Sequence, residues 1–314
     1  MFTFIISTYN RSAYLKNFLD YFLAQEIPQE FSFEILMIDN NSKDDTRETI
    51  EQYMNKFPLG ALKYIFENRQ GKCYALNTAI IQAKGDILVF TDDDVILPKD
   101  WFKNINKFVT TVDFDAACGR VLVQYEEGIP TWIKDNNDLI SGPIVSYDYG
   151  TETIPHVQNK MLSLIGANLI VKRQLFNESG LYNTNLGPGT GTMGDDTEMC
   201  IRWEKMNKKL YYVGNILVWH PALKNRANLK YIADWNLAYG RYEVIKYKWK
   251  LPDNTICYAG VPRYLIRCIL LDFIKSVLNI LNKREFLKSW VSLYRDLGRA
   301  QEYRQHQRVL KNQN

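Results

Sequence analysis

The sequence lacks the features of several protein classes. Its five cysteines form no Cys-x-x-Cys pair, which argues against a disulfide framework or a zinc site and favours a reducing compartment. No uninterrupted apolar run reaches the length of a membrane-spanning helix. The chain opens on the apolar run 2–6 without a charged segment before it, which indicates a first strand and not a secretory signal. We therefore expect a cytoplasmic protein.

Acidic residues are scarce in the last third of the chain. From Pro221 to the end there are 18 Lys and Arg but only 7 Asp and Glu, although the net charge of the whole chain is only +4. Such a tail is expected to meet an anionic membrane surface, a nucleic acid or an acidic partner. No recognised nucleic-acid-binding motif is present, which disfavours a nucleic acid as the partner. The apolar segment 262–281 either packs on the body or lies in a membrane interface, so residues 260–314 are candidates for contact with the inner face of the cell membrane.

The first 125 residues alternate short apolar runs with segments of helical periodicity. The chain is 46% hydrophobic, enough for a sizeable core. Strands separated by single helices form a parallel sheet, so we predict an α/β fold with a mostly parallel central sheet flanked by helices and a helical C-terminal extension. The predicted strands are 2–7, 33–38, 62–66 and 86–91, and the sequence divides into parts 1–125, 126–220 and 221–314.

The second part shows weaker patterns. Residues 126–160 have no clean period and read as a surface excursion that would form part of an acceptor site, where Trp132 either contacts the acceptor or packs against the fold. A strand is predicted at 162–171, and the chain is predicted to be helical from residue 228. The other predicted elements are a helix at 173–178, a glycine-rich loop at 187–194, a helix at 195–206 and short strands at 211–213 and 216–219.

Polar residues follow the predicted strand ends, where parallel sheets bind ligands. The run Asp92-Asp93-Asp94 is one such set. Taken alone it is usually a solvated turn that caps the next helix. At the end of a buried strand, residues 92 and 94 would instead share a hard cation such as Mg²⁺ or Mn²⁺. The sets are 8–10, 39–41, 68–71 and 92–94.

Three further candidates have alternatives that remain open. Asp39 would accept a hydrogen bond from a nucleotide base or ribose, or else cap the next helix, a role that Ser42 can take instead. Gly71 and Lys72 open a helix and would attract phosphate, or else form an ordinary surface turn. His220 ends a predicted strand as a metal ligand or as a structural histidine.

The loop 189–194 matches Gly-x-Gly-x-x-Gly literally, but no apolar strand precedes it. Asp195 and Asp196 follow at the helix start, where they would repel a pyrophosphate, so we reject a dinucleotide site. We interpret the loop as a mobile segment that closes over a bound donor. The two aspartates cap the helix or provide a general base.

The ordered set of motifs over residues 2–220 resembles glycosyltransferase family 2, the inverting nucleotide-sugar transferases with a GT-A fold. The residues that carry the resemblance are 7–11, 39–42, Gly71-Lys72, Ala75-Leu76-Asn77, 90–94 with Trp101, Gly166-Ala167-Asn168, 180–182, and 194–196 with Arg202.

The resemblance implies a role for each site residue. Asp196 would be the catalytic base, and Asp195, where the family more often has glutamate, would be a candidate contact of the acceptor. Asp94 would bind the metal, and Asp92 would contact both ribose and the metal region. The nucleotide-sugar site would include Thr8, Tyr9 and Asp39 at the base, Asn10, Arg11, Gly71, Lys72 and Asp93 near the nucleotide, and Gly166, Ala167 and Asn168 at the sugar.

The resemblance also implies the reaction. A Mn²⁺- or Mg²⁺-dependent enzyme would transfer a sugar, with inversion, from a UDP-sugar to a hydroxyl of a glycan or lipid-linked acceptor. Residues 1–125 would bind the donor, 126–220 would hold the acceptor and the base, and nucleic acid would not be a partner. A nucleotidyltransferase would show a glycine-rich basic loop where residues 7–11 stand, and a non-catalytic scaffold would have lost the base or the Asp-x-Asp run.

Overall fold

The computed structural model describes residues 1–27, 31–158, 160–246, 251 and 255–312. The strands are β1 Phe2–Thr8, β2 Phe33–Asp39, β3 Leu62–Phe66, β4 Ile87–Thr91, β5 Ala116–Tyr125, β6 Thr153–Pro155, β7 Asn168–Lys172, β8 Leu210–Ala222, β9 Cys257–Tyr258 and β10 Val261–Pro262. The α-helices are α1 Ser12–Leu23, α2 Thr46–Met54, α3 Lys72–Gln82, α4 Trp101–Thr111, α5 Thr131–Lys134, α6 Ser141–Ile144, α7 Arg173–Ser179, α8 Asp195–Lys205, α9 Leu229–Lys246, α10 Arg263–Leu278 and α11 Lys283–Asn312; a 3-10 turn spans Asn137–Leu139.

A single mixed sheet carries the strands β1 to β8, in the order β3-β2-β1-β4-β7-β5-β8-β6. Strands β3, β2, β1 and β4 are parallel, whereas β7 pairs antiparallel with β4 and with β5. The apolar residues of β1 and β2 are almost completely buried, as expected for parallel strands covered on both faces. The predicted parallel sheet with flanking helices is confirmed for the first four strands.

The chain divides into two compact units. The first comprises residues 1–124, 145–189 and 195–221, and the second comprises 125–144, 190–194 and 222–314. The division made from the sequence groups residues 126–144 with residues 145–220. In the structure they belong to the unit that contains the C-terminal helices. The functional labels given to the parts 1–125, 126–220 and 221–314 stay predictions.

Several predicted elements differ from the structure. Strand β7 begins only at Asn168, and the two short strands predicted at 211–213 and 216–219 are one continuous strand, β8. Strand β5 escaped prediction because its first residues are Ala-Ala-Cys-Gly, which carry little strand signal. The excursion 126–160 contains α5, α6, the 3-10 turn and β6, and the hairpin β9–β10 interrupts the predicted helical tail. Residues 247–250, 252–254 and 313–314 of that tail lie outside the described residues.

Asn168 joins four elements of the first unit. Its amide nitrogen donates to the carbonyl of Ile216 at 2.8 Å and of Arg120 at 3.1 Å. Its amide oxygen accepts from the indole N–H of Trp101 at 3.0 Å. Gly119 makes this close approach possible, since a Cβ there would lie 2.1 Å from the Asn168 Nδ2. The start of β7 is therefore fixed against β5, β8 and α4.

Helices α9, α10 and α11 of the second unit pack around a small apolar cluster. It contains Val244 of α9, Val261 of β10, Leu265 of α10, and Ala300 and Tyr303 of α11. Among the described residues, no helix combines the length and apolarity needed to cross a membrane.

We expect Gly119→Ala to destabilise the first unit by about 3 kcal/mol, because the added methyl group overpacks a buried site and displaces the amide of Asn168. Gly60→Ala is the control. A Cβ at Gly60 meets nothing within 4 Å, although φ there is +76°, so only the backbone strain of about 1 kcal/mol is expected. Urea unfolding of both variants measures the difference. Equal losses would contradict the importance of this contact.

Candidate active site

The ends of three parallel strands bring the predicted site residues to one edge of the sheet. Thr8 ends β1 and lies opposite Asp39, which ends β2. Strand β4 pairs with β1 on the other side and leads directly into Asp92, Asp93 and Asp94. The convergence predicted from the strand pattern is therefore confirmed.

Asp94 lies against His220, although the two are far apart in sequence. The backbone of Ile96 exchanges two hydrogen bonds with that of Trp219, at 2.8 and 3.0 Å, and this bridge aligns the segment after β4 with β8. The His220 Nε2 lies 3.5 Å from Asp94 Oδ1, and both side chains are buried. The sequence predicted His220 at a strand end, but in the structure it lies inside β8.

Asp92, Asp94 and His220 form a candidate cation site. Each offers one ligand atom, and these atoms lie within 4.8 Å of one another. The two carboxylates supply the oxygen ligands that Mn²⁺ and Mg²⁺ favour, both ions retain positions for phosphate or water, and His220 adds one nitrogen donor. The side chains present therefore fit the predicted metal.

Two cations balance part of this acidic charge. Arg11 Nη1 lies 3.0 Å from Asp94 Oδ2, and Lys72 Nζ lies 2.7 Å from Asp92 Oδ1. Burial alone would lower the pKa of Lys72, but the charges of Asp92, Asp196 and Asp195 raise it. Both basic residues therefore form ion pairs with acidic residues of the site. The family resemblance had implied that they lie near the nucleotide.

Asp195 and Asp196 differ in exposure, although both begin α8. Asp195 is buried, whereas Asp196 is partly exposed. The Gly166 N–H donates to Asp196 Oδ2 at 2.8 Å. Burial, followed by the neighbouring charge of Asp195, raises the pKa of Asp196. A carboxylate of raised pKa that reaches solvent suits proton abstraction, so Asp196 is the better candidate for the base.

The turn after β1 is tied to the loop after β2. The Asn10 N–H donates to Ser42 Oγ at 2.9 Å, and the Asp39 carboxylate accepts from the Ser42 N–H and from the Tyr64 hydroxyl, each at 2.8 Å. The expectation that Ser42 caps the next helix is wrong, since α2 begins at Thr46. Asp39 itself holds this loop.

The remaining candidates occupy different positions. Thr8 is buried and Tyr9 is exposed. Asn168 is fully buried and engaged in the fold, so it positions β7 and has no exposed surface to offer a sugar. The Ala167 carbonyl accepts from the Thr91 hydroxyl at 3.0 Å. Trp132 is half-buried in α5, within the second unit.

The glycine-rich loop is held at two points. The Lys72 N–H donates to the carbonyl of Pro188 at 3.2 Å, which ties the loop to the start of α3. Within the second unit, Arg241 donates to the carbonyl of Gly191 at 3.0 Å. Closure of this loop over a donor stays a prediction.

Glu67 and Asn40 support the site; the sequence analysis included Asn40 in the set 39–41 without a role of its own and missed Glu67. Glu67 accepts from the backbone and guanidinium of Arg69 and from the Thr78 hydroxyl. Asn40 donates to the Arg69 carbonyl at 2.7 Å and accepts from the Gly71 N–H at 2.8 Å. They fix the loop that leads into Lys72. Their only sequence signal is their position after the ends of β3 and β2.

We expect Glu67→Gln to lower the free energy of unfolding by about 2 kcal/mol at pH 7, because hydrogen bonds to a charged group are lost. The hydrogen bond from Arg69 is the main cause that lowers the pKa of Glu67 from 4.5 to about 2. The contribution of the ionised Glu67 to the free energy of unfolding is complete above 4.5, its pKa in the unfolded chain, and is lost as the pH falls through about 2, its pKa in the folded protein.

The measurement is urea unfolding of both proteins between pH 7 and pH 3, and the difference should shrink with acid. Glu51→Gln is the control, since Glu51 pairs with Arg47 on the surface and is expected to contribute no more than about 0.5 kcal/mol. A Glu67→Gln difference that stays constant with pH would contradict the assignment.

Comparison with known proteins agrees with this geometry. The model of glycosyl transferase family 2 matches residues 3–180. Poly(ribitol-phosphate) beta-N-acetylglucosaminyltransferase TarS of Staphylococcus aureus is 31% identical over 129 residues, which cover 41% of this chain and 22% of that protein. The chain thus matches only about a fifth of the length of this relative.

Two solved structures show the same fold. One is mannosyltransferase PcManGT from Pyrobaculum calidifontis in complex with GDP-Man and Mn²⁺, with a TM-score of 0.57, 19% identity, and coverage of 98% of this chain and 75% of that chain. The other is S. aureus TarS 1–349 in complex with UDP-GlcNAc, with a TM-score of 0.54, 16% identity, and coverage of 100% and 92%. The family model covers more than half of the chain, and the sheet is that of GT-A glycosyltransferases. The chain therefore belongs to glycosyl transferase family 2 and has the GT-A fold.

Proposed function

We propose that this glycosyltransferase moves a sugar, with inversion, from a nucleotide diphosphate sugar to a hydroxyl group of a glycan or a lipid-linked acceptor. The observation that carries the proposal is the position of Lys72 among Asp92, Asp195 and Asp196. It supports the proposal because Lys72 is a cation that can face a diphosphate and Asp196 is a carboxylate that can act as a base. This is the arrangement that a single displacement at the anomeric carbon needs.

Asp196 takes the proton from the acceptor hydroxyl in this proposal. Its hydrogen bond from Gly166 holds one carboxylate oxygen in place, and its raised pKa makes it a stronger base than an ordinary aspartate. A Cβ at residue 166 would lie 3.2 Å from Asp196 Oδ1, so a side chain there would crowd the base. Asp195, buried beside it, contributes to the raised pKa.

The departing nucleotide diphosphate needs positive charge. Asp92, Asp94 and His220 would hold a divalent cation, Mn²⁺ or Mg²⁺, which when bound neutralises the charge that develops on the diphosphate. Arg11 orients Asp94 through its 3.0 Å ion pair. Lys72 restrains Asp92 and adds positive charge at the start of α3, where phosphate is favoured.

We propose a UDP-sugar as the donor. The family resemblance favours uracil, and a structure with the same fold has UDP-GlcNAc bound. Thr8, Tyr9 and Asp39 are the proposed contacts of the base, with Asp39 already fixed by Ser42 and Tyr64. Trp132 is a proposed acceptor contact, and the proposed location is the cytoplasm or the inner face of the cell membrane.

Reaction products separate this proposal from its two alternatives. With UDP-GlcNAc, UDP-Glc and UDP-Gal as probes and Mn²⁺ present, a transferase releases UDP and free sugar when water is the acceptor. A nucleotidyltransferase would release pyrophosphate from UTP and a sugar phosphate, and a scaffold protein would release neither. The intact Asp-x-Asp run and Asp196 disfavour the scaffold.

We expect Asp196→Asn to reduce UDP release about 1,000-fold, because a general base contributes on the order of 10²–10⁴ to the rate. UDP binding in the presence of Mn²⁺, measured by calorimetry, should change less than about threefold, since Asp196 acts on the acceptor.

Asp195→Asn is the matched variant. Removing its charge should lower the pKa of Asp196 and move the acidic limb of the pH–rate profile to lower pH, with a loss of activity smaller than about tenfold. Wild-type turnover in Asp196→Asn, or a greater loss in Asp195→Asn, would overturn the assignment of the base.

A further inference from the structure

Helix α10 presents apolar side chains to solvent. Its packed side is narrow: Leu265 is buried in the apolar cluster of the second unit, and Ile269 packs against that cluster. On the opposite side, Ile274 is 50% exposed and Leu278 is 77% exposed. We call this side the outer face of α10. Its exposed apolar residues are Leu270, Leu271, Phe273, Ile274, Val277 and Leu278, and Ile280 and Leu281 extend it beyond the helix end.

Two polar residues of the helix, Asp272 and Ser276, point the other way, whereas Lys275 is exposed. Ser276 is buried and donates to the carbonyl of Asp272 at 2.7 Å. The side chain of Asp272 is only 14% exposed, and its charge acts on the buried Asp296 of α11. A surface helix in water normally has the reverse pattern, with polar residues outside. The sequence therefore favours an apolar environment at the outer face, and exposed patches of this kind mark interaction sites.

Basic residues continue the outer face toward the start of the helix. Arg263 and Arg267 precede Leu270, Ile274 and Leu278 at spacings of three or four residues, so all five lie on one side. The only acidic residue of α10, Asp272, is turned inward. A groove of about 400 Å³ combines both arginines with apolar side chains, and its lining is Tyr258, Arg263, Ile266, Arg267, Leu270 and Leu271.

We propose that the outer face of α10 lies in the headgroup region of an anionic membrane. The apolar side chains would enter the acyl boundary, and Arg263 and Arg267 would meet lipid phosphates. Apolar burial and basic charge together are what binding of a helix to an anionic lipid surface requires. A symmetric contact with a second copy would instead place like-charged arginines in the same interface. This proposal stands independently of the proposed reaction, since it uses none of the acidic residues.

The test is flotation of the full chain with vesicles. Binding is expected with vesicles that contain phosphatidylglycerol and not with phosphatidylcholine alone, and it should weaken as salt is added. The double variant Ile274→Glu/Leu278→Glu should no longer float. The double variant Arg263→Gln/Arg267→Gln should bind on the order of 25-fold more weakly, because each basic residue near such a surface contributes about fivefold.

Ile81→Glu is the matched control, since Ile81 is an exposed isoleucine on α3, 72% accessible, and its substitution should leave flotation unchanged. Thermal unfolding of every variant establishes that it is folded. UDP release is measured in parallel without vesicles, so a failure of the proposed reaction is seen separately.

Three results would overturn the proposal. The first is a wild type that fails to float with anionic vesicles, and the second is a set of outer-face variants that float as the wild type does. Alternatively, light scattering would show a wild-type dimer that Ile274→Glu/Leu278→Glu converts to a monomer, with no binding to lipid. The last result would make the outer face an interface between two copies of the chain.

Discussion

Repulsion among carboxylates at the edge of the sheet is the constraint on which the site depends. Asp92, Asp93 and Asp94 follow one strand, and Asp195 and Asp196 lie near Lys72. Burial and the adjacent Asp94 raise the pKa of Asp93 to about 7. Such a concentration of acidic groups is costly unless cations balance it. Lys72 and Arg11 supply two positive charges, and the excess of acidic residues favours a further, divalent cation.

The same constraint separates the roles of the aspartates. Asp94 is the most firmly held of the proposed ligands, because Arg11 and the neighbouring His220 surround it. Asp92 is partly exposed and restrained by Lys72. Asp196 is anchored by the hydrogen bond from the Gly166 N–H. Its raised pKa, a consequence of burial and of the charge of Asp195, is the property that a base requires.

The sequence predicted the parts of the fold that strong patterns determine. The first four strands follow from buried apolar runs, and the meeting of Thr8, Asp39 and Asp92 follows from parallel pairing. Residues that act through long-range contacts gave no such pattern. Glu67 hydrogen-bonds the loop before Lys72, and His220 lies beside Asp94 where the backbone of Ile96 pairs with that of Trp219.

Periodicity also predicted a helix at the position of α10, but it did not determine which side of the helix faces the rest of the protein. The alternatives predicted from sequence were packing on the body and contact with a membrane. Buried Ser276 and exposed Leu278 show that an apolar side of the helix faces outward. Small residues caused a different failure: Gly119 and its neighbours made β5 hard to recognise, yet the absence of a side chain at Gly119 lets Asn168 join the strands.

The most direct test of the acidic cluster as a cation site is a titration of Mn²⁺ followed by electron paramagnetic resonance. Free Mn²⁺ gives a sharp signal that is lost on binding. We predict one site in the wild type, tighter when UDP is added, and its loss in Asp94→Asn. Binding of equal strength in Asp94→Asn, or no binding in the wild type with UDP present, would contradict the account.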